Sequence, residues 1–427
     1  MSERIAIVNG IRTPFCKANG VFDDLEADDL GAFVVREAIA RSGLEAEQFD
    51  ELIFGNVLQP PNATNIARVL AVKGGMPINV PAYTVNRNCA SSMEAIVAAV
   101  RKIRAGDGQI YMVGGTESMS GFPIMFNKKM KNFFLKFSKA RSFKDKMALL
   151  STFRLSFLTP DVPKISDPLC SMTMGQTAEV LARDFKITRR EQDIFGLNSQ
   201  KRAYEATKDG RLADEIIPIP LPPKYEGMQE QDDGIRKDQT IEDFAKLKPA
   251  FDKLTGTVTA ATSSQVTDGA VALVLMSESK AKKLGIKPIG YIREYAYAAL
   301  DPRRMGLGPA FATAKILKKS GMKLSDFDLI EINEAFAAQV LAVERALASD
   351  TFAREHLGED KAIGHINPDI LNVNGGAIAL GHPLGASGGR LVLTLTKELN
   401  RRNKQFGLAT LCVGGGQGEA VIVEAAQ

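Results

Sequence analysis

Short Val/Ile-rich runs alternating with stretches of helical spacing predict a layered α/β protein. The runs ELIFGNV (51–57), QIYMVGG (109–115), AVALVLM (270–276) and LIEINEA (329–335) read as buried strands. Residues 29–43 and 89–104 carry apolar positions at helical spacing, and in the second stretch Met93, Ile96, Val97, Val100 and Ile103 fall on one stripe before a stop at Gly106. The third observation is a repeat. FDELIFGNVLQ (49–59) is similar to FDLIEINEAFAAQ (327–339), and each leads by a long connection to a strand–helix turn. That turn is NRNCASS (86–92) in the first half and GGAIALGHPLGASG (375–388) in the second. Each half then closes on a strand ending in glycines, MVGGTES (112–118) and CVGGGQG (412–418). Two similarly folded halves packed together are expected, separated by a polar, proline- and charge-rich insertion.

The boundaries follow from that pattern. Residues 1–120 with 264–287 form the first half, 121–263 the inserted loop domain, and 288–427 the second half. A chain of 427 residues exceeds one core, so two or three core units fit its length. MSERIAIVNGIRTPF runs almost directly into a strand, which predicts neither export nor organelle import and a cytoplasmic location. No apolar run reaches the length of a membrane span. Cys16, Cys89, Cys170 and Cys412 lie far apart with no C-x-x-C pair, which argues against a metal site or a disulfide framework. His356, His365 and His382 show no ligand spacing, and the first two sit in polar, loop-like surroundings. The net charge of +4 is uneven: residues 121–165 carry ten Lys/Arg against two Asp.

Cys89 stands between a polar turn and an amphipathic helix, where the positive end of the helix favours thiolate, the reactive form. A small buried apolar residue is the competing reading. His382 lies in a glycine-flanked turn that leaves an imidazole uncrowded and able to act as a base, and a structural histidine is the alternative. Cys412 precedes three glycines whose amides can hold a developing oxyanion. A phosphate-cradling loop is excluded there, because neither Gly-Lys-Ser/Thr nor G-x-G-x-x-G is present. Asn333 and Glu334 form a polar pair at a strand end with no evident packing role.

NRNCASS, GTVTAATSSQVTDGA (256–270), NEAFAAQ, NVNGGAIALGHPLGASG and CVGGGQG occur in the order of the thiolase family, and the resemblance spans essentially the whole chain. Basic residues in the insertion resemble the trifunctional-enzyme β subunits of fatty-acid β-oxidation. The resemblance implies a thiolase fold, two pseudo-symmetric α/β halves in a layered αβαβα arrangement with an inserted loop domain. It implies that Cys89 becomes acylated, that His382 takes its proton and helps bind the thioester oxygen, and that Cys412 exchanges a proton with the acetyl α-carbon or the coenzyme A thiol. Asn333 positions a water in one oxyanion hole, and the amides of Cys89 and Gly414 form the other. The resemblance further implies coenzyme A as a substrate, with no permanent cofactor and no metal, lying along Met174, Phe251, Ala260, Ser264, Ala335 and Phe336. Three departures bear on chain length rather than chemistry: Thr173 where His is frequent, Thr262-Ser263-Ser264-Gln265 where Asn-Ala-Ser-Gly is frequent, and Asn333 where related β subunits carry His.

The reaction so implied is coenzyme A-dependent cleavage of 3-ketoacyl-CoA, or its reverse condensation. The alternatives are a short-chain biosynthetic acetoacetyl-CoA thiolase and a non-catalytic lipid- or CoA-binding relative; all of Cys89, His382 and Cys412 are kept, which counts against the latter. Residues 126–158 interleave Phe and Lys in amphipathic helices suited to an anionic membrane surface or a β-oxidation partner subunit. Nucleic acid fits poorly, since no recognised module accompanies the charge. The family implies a homodimer or homotetramer.

Overall fold

The computed structural model describes residues 3–122, 125–161 and 166–426. They form two compact units, Met1–Gly121 with Asp167–Gln427, and Phe122–Ser166. Lys164, one of the ten basic residues noted above, lies outside the described residues.

In the larger unit the chain runs β1 (Ile5–Arg12), α1 (Ala27–Ser42), β2 (Glu51–Gly55), β3 (Ala82–Val85), α2 (Ser91–Ala105) and β4 (Ile110–Glu117). Helices α3 (Met174–Asp184) and α4 (Arg189–Lys208) follow, and β5 (Thr267–Ser277) closes the first half. The second half is β6 (Gly290–Ala299), α5 (Gly308–Ser320), β7 (Leu329–Ile332), α6 (Ala337–Leu347), α7 (Ser387–Arg401), β8 (Phe406–Val413) and β9 (Gln417–Ala425).

Strand order makes the repeat visible. The sheet reads β3-β2-β4-β5-β1 and then β6-β9-β8-β7, nearly a palindrome. β2 is parallel to β4 as β7 is to β8, and β1 is antiparallel to β5 as β6 is to β9. Where the second half would mirror β3, a single bridge joins Ile330 to Leu371. β1 and β6 pair through Ile5–Ile292, Ala6–Tyr291 and Ile7–Gly290 only. Each then shifts register at an equivalent place, between Ile7 and Asn9 and between Ile292 and Glu294.

The alternation of strand side chains builds the layers. Val271, Leu273 and Leu275 of β5 face inward, with Leu411 and Val413 of β8, onto α2 and α7 in one buried core. Ala272, Val274 and Met276 face the other way, onto α1 and the helix Ile66–Lys73. On the far side, Leu408, Ala420 and Ile422 pack against α5 and α6. Helix, sheet, paired helices, sheet and helix therefore stack in the order expected. The stripe of α2 is buried as its spacing predicts, each large side chain contributing about 1.5–3 kcal/mol. Gly106 ends α2 in the left-handed region at φ 78°, as the sequence suggests.

Of the expected insertion 121–263, only Phe122–Ser166 stands as a separate unit. Residues 167–263 belong with the larger unit, where Leu181 of α3 joins the core of α5 and α6. Within the smaller unit Asn127 caps the helix Lys128–Lys139, accepting from the amides of Lys129 and Met130. Phe133 is at its centre, ringed by Phe134, Phe137, Phe153 and Phe157.

Candidate active site

The loops after β3, β7 and β8 and the turn before α7 carry the residues singled out by sequence. Cys89 lies one residue ahead of Ala90, the N-cap of α2. Asn88 takes a left-handed φ of 45°, and its Nδ2 donates to the Gly414 carbonyl at 2.9 Å, tying the Cys89 turn to the glycine turn of the second half. The close approach of β2 to α2 requires Gly55, since a Cβ there would collide with the backbone of Ser91 and Ser92.

The electrostatics differ from the expectation of a stabilised thiolate. The backbone N–H groups of Gly414 and of Cys89 itself donate to the sulfur, yet burial outweighs them and Glu117 adds to the rise. The thiol is pushed up to about 11. Cys89 sits outside the first turn of α2, so the helix end acts on it weakly, while its partial burial raises the thiol.

His382 is buried, with Nδ1 2.5 Å from Ser387 Oγ and Nε2 3.4 Å from Asn333 Nδ2. Ser387 Oγ donates to the Pro383 carbonyl at 2.9 Å, so it accepts from Nδ1–H and leaves Nε2 as the lone-pair nitrogen. Burial, with Arg390 nearby, holds the imidazole down to about 4. It is neutral near pH 7. Asn333 is fully buried, and its Oδ1 has no hydrogen-bond partner. Glu334 accepts from Ser199 Oγ, Asn372 Nδ2 and the Ile378 amide, which fixes the NEAF turn.

Cys412 is buried at the end of β8, where burial and the neighbouring Cys89 thiol push its acidity far toward the protonated form. Met174, Phe251, Ala335 and Phe336 share one apolar cluster with it. Phe251 and Phe336 meet edge to face at 5.7 Å, and Gly175 makes room for the Phe251 ring. Ser264 joins this wall by donating its amide to the Ala335 carbonyl at 2.9 Å. Ala260 is exposed at the start of the turn Ala260–Thr262 and is not part of the cluster.

Met174 Sδ lies 3.6 Å from the position a Cβ on Gly414 would take, so the apolar cluster reaches the glycine turn after β8. His356 lies tilted against Phe352 at a ring separation of 4.6 Å, and His365 lines a surface cleft with Asp328 and Lys404. Among the described residues no cluster of His, Cys, Asp and Glu could hold a metal ion.

Four residues with a part in this arrangement went without a role in the sequence reading: Asn88, Ser387, Glu117 and Asp167. Asp167 Oδ2 accepts from the Gly415 amide at 2.8 Å and so occupies one of the three glycine amides. Asn88, Ser387 and Glu117 fall inside the quoted motifs, which was the available signal. Asp167 falls in none.

The five-layer fold and a site assembled from both repeats define the class. Residues 5–279 match the thiolase N-terminal domain and residues 286–425 the thiolase C-terminal domain, so the chain belongs to the thiolase family, a family of acyltransferases. It is 45% identical over 423 residues to a 3-ketoacyl-CoA thiolase of Yersinia pestis (strain Pestoides F), covering 99% of this chain and 97% of that one. The fold matches the Bacillus anthracis acetyl-CoA acetyltransferase with a TM-score of 0.85 and 36% identity over 99% of both chains. It also matches human mitochondrial 3-ketoacyl-CoA thiolase in complex with CoA, with a TM-score of 0.85 and 35% identity over 100% of this chain and 98% of that chain.

Proposed function

We propose that the protein cleaves 3-ketoacyl-CoA with coenzyme A to give acetyl-CoA and a shortened acyl-CoA, by ping-pong transfer through Cys89. The observation that carries the mechanism is the pair of amides, Cys89 and Gly414, that donate to the Cys89 sulfur, together with a His382 held neutral by burial. The thiol adds to the C3 carbonyl as Nε2 of His382 accepts its proton. The carbonyl oxygen becomes an oxyanion held by donors already in place. The C2–C3 bond then breaks, leaving an acyl thioester on Cys89 and an acetyl-CoA enolate that takes its proton from Cys412. The Cys412 thiolate next deprotonates the coenzyme A thiol, which attacks the acyl-enzyme; acyl-CoA leaves, and Cys89 recovers its proton from His382. A protonated Cys412 suits the first of these steps, and Asn333 Oδ1, lacking a partner, suits holding a water at the second oxyanion site.

Coenzyme A is read as lying along Met174, Phe251, Ser264, Ala335 and Phe336, with Ala260 at the outer end. The domain reading is also ours: a first half of 1–120 and 264–287, an inserted segment 121–263, and a second half 288–427. It is supported by the mirrored strand order and by matches that meet between residues 279 and 286.

The test is cleavage of acetoacetyl-CoA compared with a long-chain 3-ketoacyl-CoA. Turnover of both is expected, and activity confined to acetoacetyl-CoA would favour a biosynthetic short-chain role. Cys89→Ser should abolish turnover; full retention would sink the mechanism.

A cytoplasmic location is in keeping with four free cysteines, and a homodimer or homotetramer is carried over from the family resemblance. Residues 126–158 are read as docking an anionic membrane surface or a β-oxidation partner subunit. Phe126, Phe134, Leu135, Phe143 and Leu155 are exposed there beside exposed Lys128, Lys129, Lys131 and Lys136. Neutralising these four lysines should abolish binding to anionic liposomes or to the partner while sparing short-chain turnover; unchanged binding would rule the idea out.

A further inference from the structure

Glu117 is a buried carboxylate at the end of β4 that the reaction above does not use. Its two oxygens receive four hydrogen bonds, all from neutral amides. Oε1 accepts from Asn56 Nδ2 at 3.1 Å and from the Leu58 amide at 3.0 Å, and Oε2 from the amides of Val57 at 3.1 Å and Gly385 at 2.9 Å. The first three donors belong to the loop after β2. The fourth belongs to the turn of the second half that presents His382.

The packing around that fourth bond leaves little slack. A Cβ on Gly385 would come within 2.5 Å of the Thr116 carbonyl and 3.1 Å of both Asn56 Cα and Glu117 Oε2. A Cβ on Gly115 would collide with the Gly385 carbonyl. The His382 turn thus sits directly on the end of β4, and its amide at Gly385 points at the Glu117 carboxylate. One further bond holds the two helix starts together, from the Gly389 amide to Ser92 Oγ at 2.8 Å.

The charge of Glu117 also acts on the nucleophile, as the smallest of the causes that set the Cys89 acidity. It lies close enough to Cys89 to disfavour the thiolate, with Asp268 of β5 the other acid within reach of it. Asp268 is itself satisfied by the Ser120 amide and hydroxyl, while His382 is neutral. A carboxylate filled by four amides has no capacity left for substrate, so its part is to hold and to bias.

We propose that Glu117 is a positioning residue for the acyl-transfer reaction: it locks the His382 turn onto β4 and sets the charge seen by Cys89. This rests on the reading that Cys89 is acylated with His382 as its base. It assigns Glu117 a part distinct from theirs.

The test compares wild type with Glu117→Gln, which keeps the shape, removes the charge and turns one acceptor pair into a donor. The variant should lose turnover on the order of 10- to 100-fold, a fraction of what an oriented general base supplies, with KM changed little. A second readout separates this from a loss of structure: the pH–rate profile of Cys89 alkylation by iodoacetamide, followed on the Cys89 peptide by mass spectrometry. Burial pushes Glu117 up to about 7, so the wild-type profile should bend there, and the bend should vanish in the variant.

Turnover equal to wild type, or a bend that survives in Glu117→Gln, overturns the proposal. Should that variant not fold, Asn56→Ala removes one donor and leaves the charge. It should lower turnover several-fold and move the bend to higher pH, and an unmoved bend overturns the proposal equally. A wild-type enzyme that cleaves no 3-ketoacyl-CoA would defeat the underlying function instead, which the alkylation profile does not measure.

Discussion

Cys89 and His382 depart from their ordinary acidities in opposite directions, the thiol up to about 11 and the imidazole down to about 4. Near neutral pH both are uncharged, and the proton crosses only when a carbonyl is present to receive the sulfur. The motifs made these two residues legible, because a cysteine before a helix and a histidine between glycines are local patterns. Their charge states were not, since desolvation is set by everything packed around them, including Arg390 and Glu117 from other segments. Gly376 shows the same dependence. A Cβ there would collide with the Glu334 carboxyl, which is already shared among Ser199, Asn372 and Ile378. Gly376→Ala should therefore cost about 1–3 kcal/mol in a denaturant titration, the usual scale of overpacking. It should also reduce turnover, by shifting Asn333, although no reacting group is removed. Wild-type stability together with wild-type turnover would contradict this account.

Among the elements, those with a strong period were readable in advance. The stripe of α2, the apolar run of β5 and the stop at Gly106 depend on near neighbours alone. The short strand β3 and the single bridge at Leu371 were not legible, because both exist through pairing with distant partners. The insertion is the instructive middle case: its polarity marked it as separate, yet α3 and α4 within it each bury a face and fold with the larger unit. Helix α4 makes a test of local rules possible. Thr188 Oγ accepts from the Glu191 amide while the Glu191 carboxylate accepts from the Thr188 amide, a reciprocal cap. Thr188→Ala should cost about 0.5–2 kcal/mol by urea denaturation and leave turnover of the folded enzyme unchanged. Ser199, further along the same helix, bonds both Glu334 and the Gly376 amide, so Ser199→Ala should lower turnover. Equal effects of the two substitutions on activity would deny the helix its positioning part.

The molecule as a whole carries several carboxyls whose burial raises their acidity range, among them Glu117 and Glu344 to about 7 and Glu331 to about 8. Each binds its proton more tightly folded than unfolded. That contribution is complete below the ordinary carboxyl range and is lost as the pH rises through 7 to 8. His382 acts oppositely, and its contribution fades as the pH falls from the ordinary imidazole range toward about 4. The melting temperature should accordingly fall as the pH rises from about 6 to about 9, and Glu344→Gln, away from the reacting groups, should flatten the slope. A melting temperature that climbed across that window would refute the assignment. The mirrored sheet was foreshadowed by the paired FDELIFGNV and FDLIEINEA segments, but not the way its two halves join, through three residue pairs of β1 and β6. That division has a consequence for a chain made from its N-terminus. The half bearing Cys89 can close as soon as Thr267–Ser277 has been synthesised and β5 has found β1 and β4. His382 and Cys412 emerge only later, so a partly made chain on the ribosome holds a nucleophile with no base and no proton donor. Translation order thus acts as a safety catch, and the catalyst is armed only when the last strand is complete.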